Sequence, residues 1–155
     1  MRNVRRADKF ENLVRLLSEQ PHPITKKSVF PTMRELLCFA AVLGYHEGQR
    51  TPIEGKTNEI DGRVFPNSQQ AIDLIYLIAL IDAKDPMILH DDREDEMIRI
   101  FEEYANTGLG VLDRWMKEKP DDNIGDQAIL SAFQRHGLLN TSNIKVENVL
   151  VDVEF

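Results

Sequence analysis

The sequence predicts a mainly α protein: a compact bundle of five to six helices with a small β element. Three observations predict it. Apolar residues recur with the helical period over most of the chain. Glycine and proline punctuate that pattern at intervals of helix length. Only the last seven residues alternate with the period of a strand. The 155 residues, 42% hydrophobic and 29% charged, fit a single domain spanning 1–155. A chain of this size buries about 70% of the surface its extended form exposes, enough for a core without disulfides.

The elements follow in order. Phe10, Leu13, Val14 and Leu17 stand at i, i+3, i+4 and i+7 and give one apolar face to a helix near 7–19. Gln20-Pro21-His22-Pro23 breaks it. Thr32 and Glu35 form a capping-box pattern, with the threonine oxygen accepting from a first-turn N–H. The helix they open runs to about 43 and is apolar over much of its circumference, with Gly44 at its stop. Residues 45–67 have no helical period. Asp61-Gly62 between Ile60 and Val64 suits a tight hairpin near 60–64. So long a connection is either functional or mobile.

Asn67 or Ser68 caps a buried helix at 69–83, ended by Asp85-Pro86. A helix over 91–107 starts with Asp91, Asp92, Glu94, Asp95 and Glu96, which suit the positive end of the helix dipole, and stops at Gly108. A short helix at 109–118 and another at 126–136 complete the bundle. Val149, Val151, Val153 and Phe155 alternate with Leu150, Asp152 and Glu154, predicting a C-terminal strand near 149–155. That strand needs a partner: the 60–64 hairpin, or a second subunit in a homodimer.

Charge is unevenly placed. The total is −7, yet residues 1–63 hold 11 Lys and Arg against 8 Asp and Glu, while the remainder hold 8 against 18. The total disfavours indiscriminate nucleic-acid binding. It leaves room for a local phosphate-contacting patch, for which Arg2, Arg5, Arg6 and Lys9 are close in sequence and Arg50 and Lys56 lie in the long loop. The other reading of these cations is a solvated face. The acidic residues Asp91, Asp92, Glu94, Asp95 and Glu96 are either solvated surface or a docking face for a basic partner.

No motif for catalysis stands out. Cys38, the single cysteine, sits in an apolar helix and reads as a small buried hydrophobe. His90-Asp91-Asp92 resembles a metal-ligand cluster but stands where capping carboxylates are expected. Glu54-Gly55-Lys56 matches half of a metal-dependent nuclease site, without an upstream acid on a neighbouring strand. Phosphate-loop, dinucleotide and nucleophile-elbow signatures are missing. The expectation is no catalytic residue, no metal and no cofactor. Without an apolar run of export or membrane-span length, a cytoplasmic location is expected.

Several segments carry a resemblance. They are Val29-Phe30-Pro31-Thr32-Met33-Arg34-Glu35-Leu36, Phe39-Ala40-Ala41-Val42-Leu43-Gly44-Tyr45 and Gly48-Gln49-Arg50-Thr51-Pro52. Further on stand Tyr76-Leu77-Ile78-Ala79-Leu80, Asp85-Pro86-Met87-Ile88-Leu89 and Ile100-Phe101-Glu102-Glu103-Tyr104-Ala105-Asn106-Thr107-Gly108-Leu109. Together they resemble the small Dnd system-associated proteins of bacteria, the fourth such family, encoded beside DNA phosphorothioation genes. The resemblance implies a setting of DNA sulfur modification, restriction and phage defence, and it carries over no site residue. The expected function is a non-enzymatic accessory protein acting through contacts with other proteins of that system. The alternatives are a direct DNA-binding or regulatory protein using the basic N-terminal patch, and a metal-dependent nuclease using Glu54 and Lys56.

Overall fold

In the computed structural model, which describes residues 1–139, five α-helices and one two-stranded sheet surround an apolar core. The helices are α1 (Glu11–Ser18), α2 (Met33–Glu47), α3 (Gln69–Ala83), α4 (Glu94–Glu118) and α5 (Asp126–Arg135). The strands are β1 (Val4–Ala7) and β2 (Thr57–Ile60). The predicted strand near 149–155, and with it the predicted homodimer exchange, lies outside the described residues.

α4 is the central element, and α2 packs along it. Leu36, Leu37, Phe101, Leu109 and Leu112 are buried in the core they share with α1, α3 and α5. Phe65, from the turn before α3, meets Phe101 edge-on at 6.0 Å between ring centroids. At the other end Trp115 meets Phe133 of α5 edge-on at 6.0 Å, and Phe39 of α2 joins the same ring at 5.9 Å. Such aromatic pairs add about 0.5–1.5 kcal/mol each beyond area burial.

The glycines correct two expected helix ends. α2 does not stop at Gly44; it runs to Glu47 and ends at Gly48, whose φ of 80° is the left-handed cap. α4 does not stop at Gly108 either, so the two helices expected at 91–107 and 109–118 are one. Both glycines mark a helix crossing instead. A Cβ on Gly44 would overlap the Tyr104 carbonyl of α4, and a Cβ on Gly108 would overlap the Ala40 carbonyl of α2. Close backbone approach, rather than a positive φ, requires glycine there.

The caps agree more closely. Thr32 Oγ1 accepts from Glu35 N at 3.4 Å. The Glu35 carboxylate meets the Thr32 hydroxyl rather than the cap N–H, so only half of the capping box forms. Ser68 Oγ accepts from Ala71 N at 3.3 Å and opens α3. Before α5, Asp122 accepts from the N–H groups of Ile124, Gly125 and Ala128 at 2.8–3.0 Å. The acidic run at 91–96 divides, with a 3₁₀ turn over Asp91–Arg93 and the α-helix from Glu94.

The β element is present with a different partner. Asp61–Phe65 is not a hairpin: Asp61 caps a 3₁₀ turn over Gly62–Val64. β2 pairs antiparallel with β1, Val4 opposite Ile60 and Ala7 opposite Thr57. The N-terminal residues therefore form a strand rather than a frayed lead into the first helix. Val4, Arg6 and Ala7 are buried while Arg5 is turned outward.

Candidate interaction surfaces

The pairing of β1 with β2 brings the basic N-terminus and the loop at 45–67 onto one side of α4. The loop is pinned there by two polar side chains of that helix. Asn106 Nδ2 donates to the carbonyls of Thr51 and Pro52 at 3.1 and 3.2 Å. Thr107 Oγ1 donates to the Gln49 carbonyl at 3.1 Å and lies 2.7 Å from Thr51 Oγ1. Thr51 N donates to the Glu103 carbonyl at 3.2 Å. These bonds satisfy a backbone that has no ladder of its own over this stretch.

Most of the predicted phosphate-contacting cations are engaged within the chain. Glu102, only 2% exposed, is the hub. Arg2 donates to both of its carboxylate oxygens, at 2.6 and 3.1 Å, and also meets Asp95. The Arg5 backbone N–H donates to Glu102 Oε1 at 2.6 Å, and the Arg5 guanidinium lies 3.5 Å from Oε2. A buried carboxylate needs this many donors to offset its lost hydration.

Arg6, 5% exposed, has Nη1 at 2.5 Å from Glu11 Oε2. The contact is ionic without a directed N–H bond, since Nε and Nη1 find no acceptor. The hydrogen bond from Arg15, then the adjacent Arg6 guanidinium, hold the Glu11 carboxyl down at about 2. Arg50 lies 3.5 Å from both Asp82 and Glu103, and Lys56 lies 3.9 Å from Asp8. Among the described residues Lys9 alone of the six has no carboxylate within ion-pair distance; its ammonium stands 5.0 Å above the Phe10 ring.

The acidic residues divide as well. Glu94 lies 3.9 Å from the terminal amine, Asp95 meets Arg2, and Glu96 holds Arg93 in a fork at 3.0 and 3.1 Å. Arg93 also reaches Asp85 at 3.0 Å. Asp91 has no cationic partner among the described residues, and Asp92 has only His90 at 3.4 Å. The turn just before them, Pro86–Leu89, packs against α3 through the buried Ile88 and leaves Met87 56% and Leu89 42% exposed. On α3 itself Leu77 and Ile81 are also exposed. Apolar side chains and uncompensated carboxylates thus adjoin along the α3–α4 connection.

Other sequence candidates are dispersed. Cys38 is half-buried against the core rather than fully enclosed, and burial, with Glu35 nearby, pushes its thiol up to about 11. Glu54 and Lys56 stand exposed on either side of Gly55. Among the described residues no group of three or more His, Cys, Asp or Glu side chains is placed to hold a metal ion. No helix there is long and apolar enough to cross a membrane.

Sequence reasoning missed Glu102 and Glu103 as partners of the arginines. A signal for Glu102 was present: it stands at i+4 from Ile98 and i−3 from Ala105, on the inward stripe of α4. A glutamate at such a position is buried and must be paired.

A small, mainly helical chain with buried ion pairs is the kind of protein these surfaces define. A family model described as DNA sulphur modification system-associated protein 4 matches residues 3–146, and the chain belongs to that family. No curated protein and no solved structure matches it.

Proposed function

We propose that the chain is a cytoplasmic, non-catalytic accessory component of the DNA sulphur modification system. It works in the restriction and phage-defence setting of that system by docking onto another of its proteins. One observation supports this reading: the exposed Met87 and Leu89 lead directly into Asp91 and Asp92, neither of which has a lysine or arginine partner among the described residues. Association gains from apolar anchors removed from water, and flanking charge sets orientation and on-rate. The partner surface is accordingly apolar with lysines or arginines at its rim.

The reading is favoured over direct DNA contact by the predicted patch. Arg2, Arg5 and Arg6 already face Glu102, Asp95 and Glu11, so a phosphate there competes with carboxylates in place.

The test is co-purification. The tagged chain is expressed together with the proteins of a DNA sulphur modification system, and retained partners are identified by mass spectrometry. A protein of that system is retained, and Met87→Glu with Leu89→Glu abolishes its retention while the helical circular dichroism is unchanged. Retention of no system component after cross-linking, or undiminished retention by the double variant, overturns the proposal.

A further inference from the structure

From Leu74 onward α3 is apolar on the side away from the core as well as on the side toward it. Ile75, Ile78 and Ala79 are buried, while Tyr76, Leu77 and Ile81 are exposed and Leu80 is half-buried among them. A helix that is apolar all round is ordinarily covered on every side. Val42 and Tyr45, also exposed, widen this face from α2. They stand one and two turns beyond Cys38, which shares a cleft with Leu74 of α3. Adjoining apolar surface of this kind marks a place where another chain sits.

The charges on the face decide which chain. From Gln69 to Lys84 the charged residues are Asp73, Asp82 and Lys84. Asp82 is turned toward Tyr104, whose hydroxyl donates to it at 2.7 Å. That leaves Asp73 and Lys84, both exposed, at opposite ends of the outward side. Asp73 accepts only a bond from within the helix, from Gln69 Nε2 at 2.6 Å. The stripe Asp73, Leu77, Leu80, Lys84 advances in steps of four, three and four, the spacing of a seam between two helices. Lys84 is the cap residue just past the last turn, so it closes the stripe. Taken from either end the spacing is the same and the charge is opposite.

Laid antiparallel on a second copy of itself, α3 turns that symmetry into contacts. About a two-fold axis between Leu77 and Leu80, Leu77 meets Leu80 of the second copy, Tyr76 meets its Ile81, and Asp73 meets its Lys84 at both ends. An interface between identical copies has to be self-complementary in this way. A chain of net charge −7 repels its own kind except where charge is locally balanced, as it is here. We infer that the outward face of α3, flanked by Val42 and Tyr45, joins two copies of this chain in an antiparallel α3–α3 contact. An unrelated partner would have no need of opposite charges placed symmetrically about the leucines. The inference does not rest on docking through Met87 and Leu89, and it is tested on the chain alone, so either stands if the other fails.

Sedimentation equilibrium of the purified chain at low salt, over micromolar to millimolar concentrations, gives the mass. It reaches twice the 17.8 kDa of one chain. Leu77→Glu is monomeric over the same range. Leu77 is 53% exposed, so the helical circular dichroism of that variant is unchanged. Asp73→Lys and Lys84→Asp each weaken association about tenfold, because both symmetric pairs turn repulsive in each variant. Mixed in equal amounts, the two variants associate as the unaltered chain does, since each supplies the charges that the other lacks. The inference is overturned by an unaltered chain that stays monomeric throughout, by a dimer undiminished in Leu77→Glu, or by a mixture that associates no better than either charge variant alone.

Discussion

Gly108 of α4 lies directly against the backbone carbonyl of Ala40 on α2, leaving no space for a Cβ. The obstacle is main chain within a helix, which cannot rotate aside. Gly108→Ala therefore forces α2 and α4 apart and loses packing along their whole contact. The intrinsic preference of a helix for Ala over Gly, about 1 kcal/mol, is outweighed by an overpacking cost of about 1–3 kcal/mol or more. Urea denaturation shows a lowered midpoint. Gly110→Ala, two residues on, is the control: its Cβ would meet only Phe10 Cζ at 3.9 Å, and the variant is more stable by about 0.5–1 kcal/mol. Equal effects at the two sites would refute this account of the crossing.

Glu102→Ala removes the hub to which β1 is tied. It strands the Arg5 N–H and leaves Arg2 with the exposed Asp95 and the Asn3 carbonyl. Both guanidinium groups can regain water, so the cost is nearer that of unsatisfied hydrogen bonds, about 1–3 kcal/mol, than that of a stranded buried charge. Hydrogen exchange checks the location of the effect. Protection falls first over Val4–Ala7 and Thr57–Ile60, before the amides of α4 change.

Glu11 is one of the carboxylates, with Asp61, Asp85, Glu96 and Asp122, that make the fold sensitive to acid. Its folded carboxyl titrates at about 2 instead of the ordinary 4.5, held there by Arg15 and Arg6. A depressed carboxylate contributes stability that is fully present above its unfolded value and is lost as pH falls through the folded one. The window is therefore pH 4.5 down to 2. Glu11→Gln makes the decline of melting temperature shallower in that window than in the wild type, the remaining slope coming from the other depressed carboxylates. Parallel profiles would show that Glu11 is not the titrating group.

Cys38 should resist thiol reagents in the folded state. With its thiol pushed to about 11, the thiolate is scarce at pH 8. Modification by a disulfide reagent proceeds at least about tenfold more slowly than in the urea-unfolded chain, where an ordinary value near 8.5 returns. Equal rates would show that the side chain is open to solvent.

The helices were largely legible because their signals are local. α3 occupies Gln69–Ala83, as the period and the Ser68 cap predict, and α5 begins at Asp126. The errors share one cause. Gly44 and Gly108 carry the sequence signature of a helix stop, yet the constraint on them is a backbone on another helix. In the same way Val4–Ala7 is too short and too charged to announce a strand; it becomes one by pairing with Thr57–Ile60.

The surfaces were less legible than the fold. Charge counting found the right residues but not their state, because a sum cannot tell an arginine facing water from one facing Glu102. The pairs joining Arg2 to Asp95 and Glu102 span over ninety residues of sequence.

The antiparallel pairing of Val4 with Ile60, backed by Glu102, also orders events in time. Synthesis proceeds from the N-terminus, so Arg2, Arg5 and Arg6 emerge long before the acids of α4 exist. At about 5–20 residues per second the first strand waits roughly 5–20 s for its helix. During that interval Glu11 and then Thr57–Ile60 are already made, but Arg2 and Arg5 lack their counter-charge, and the translation of residues 94–102 is what supplies it.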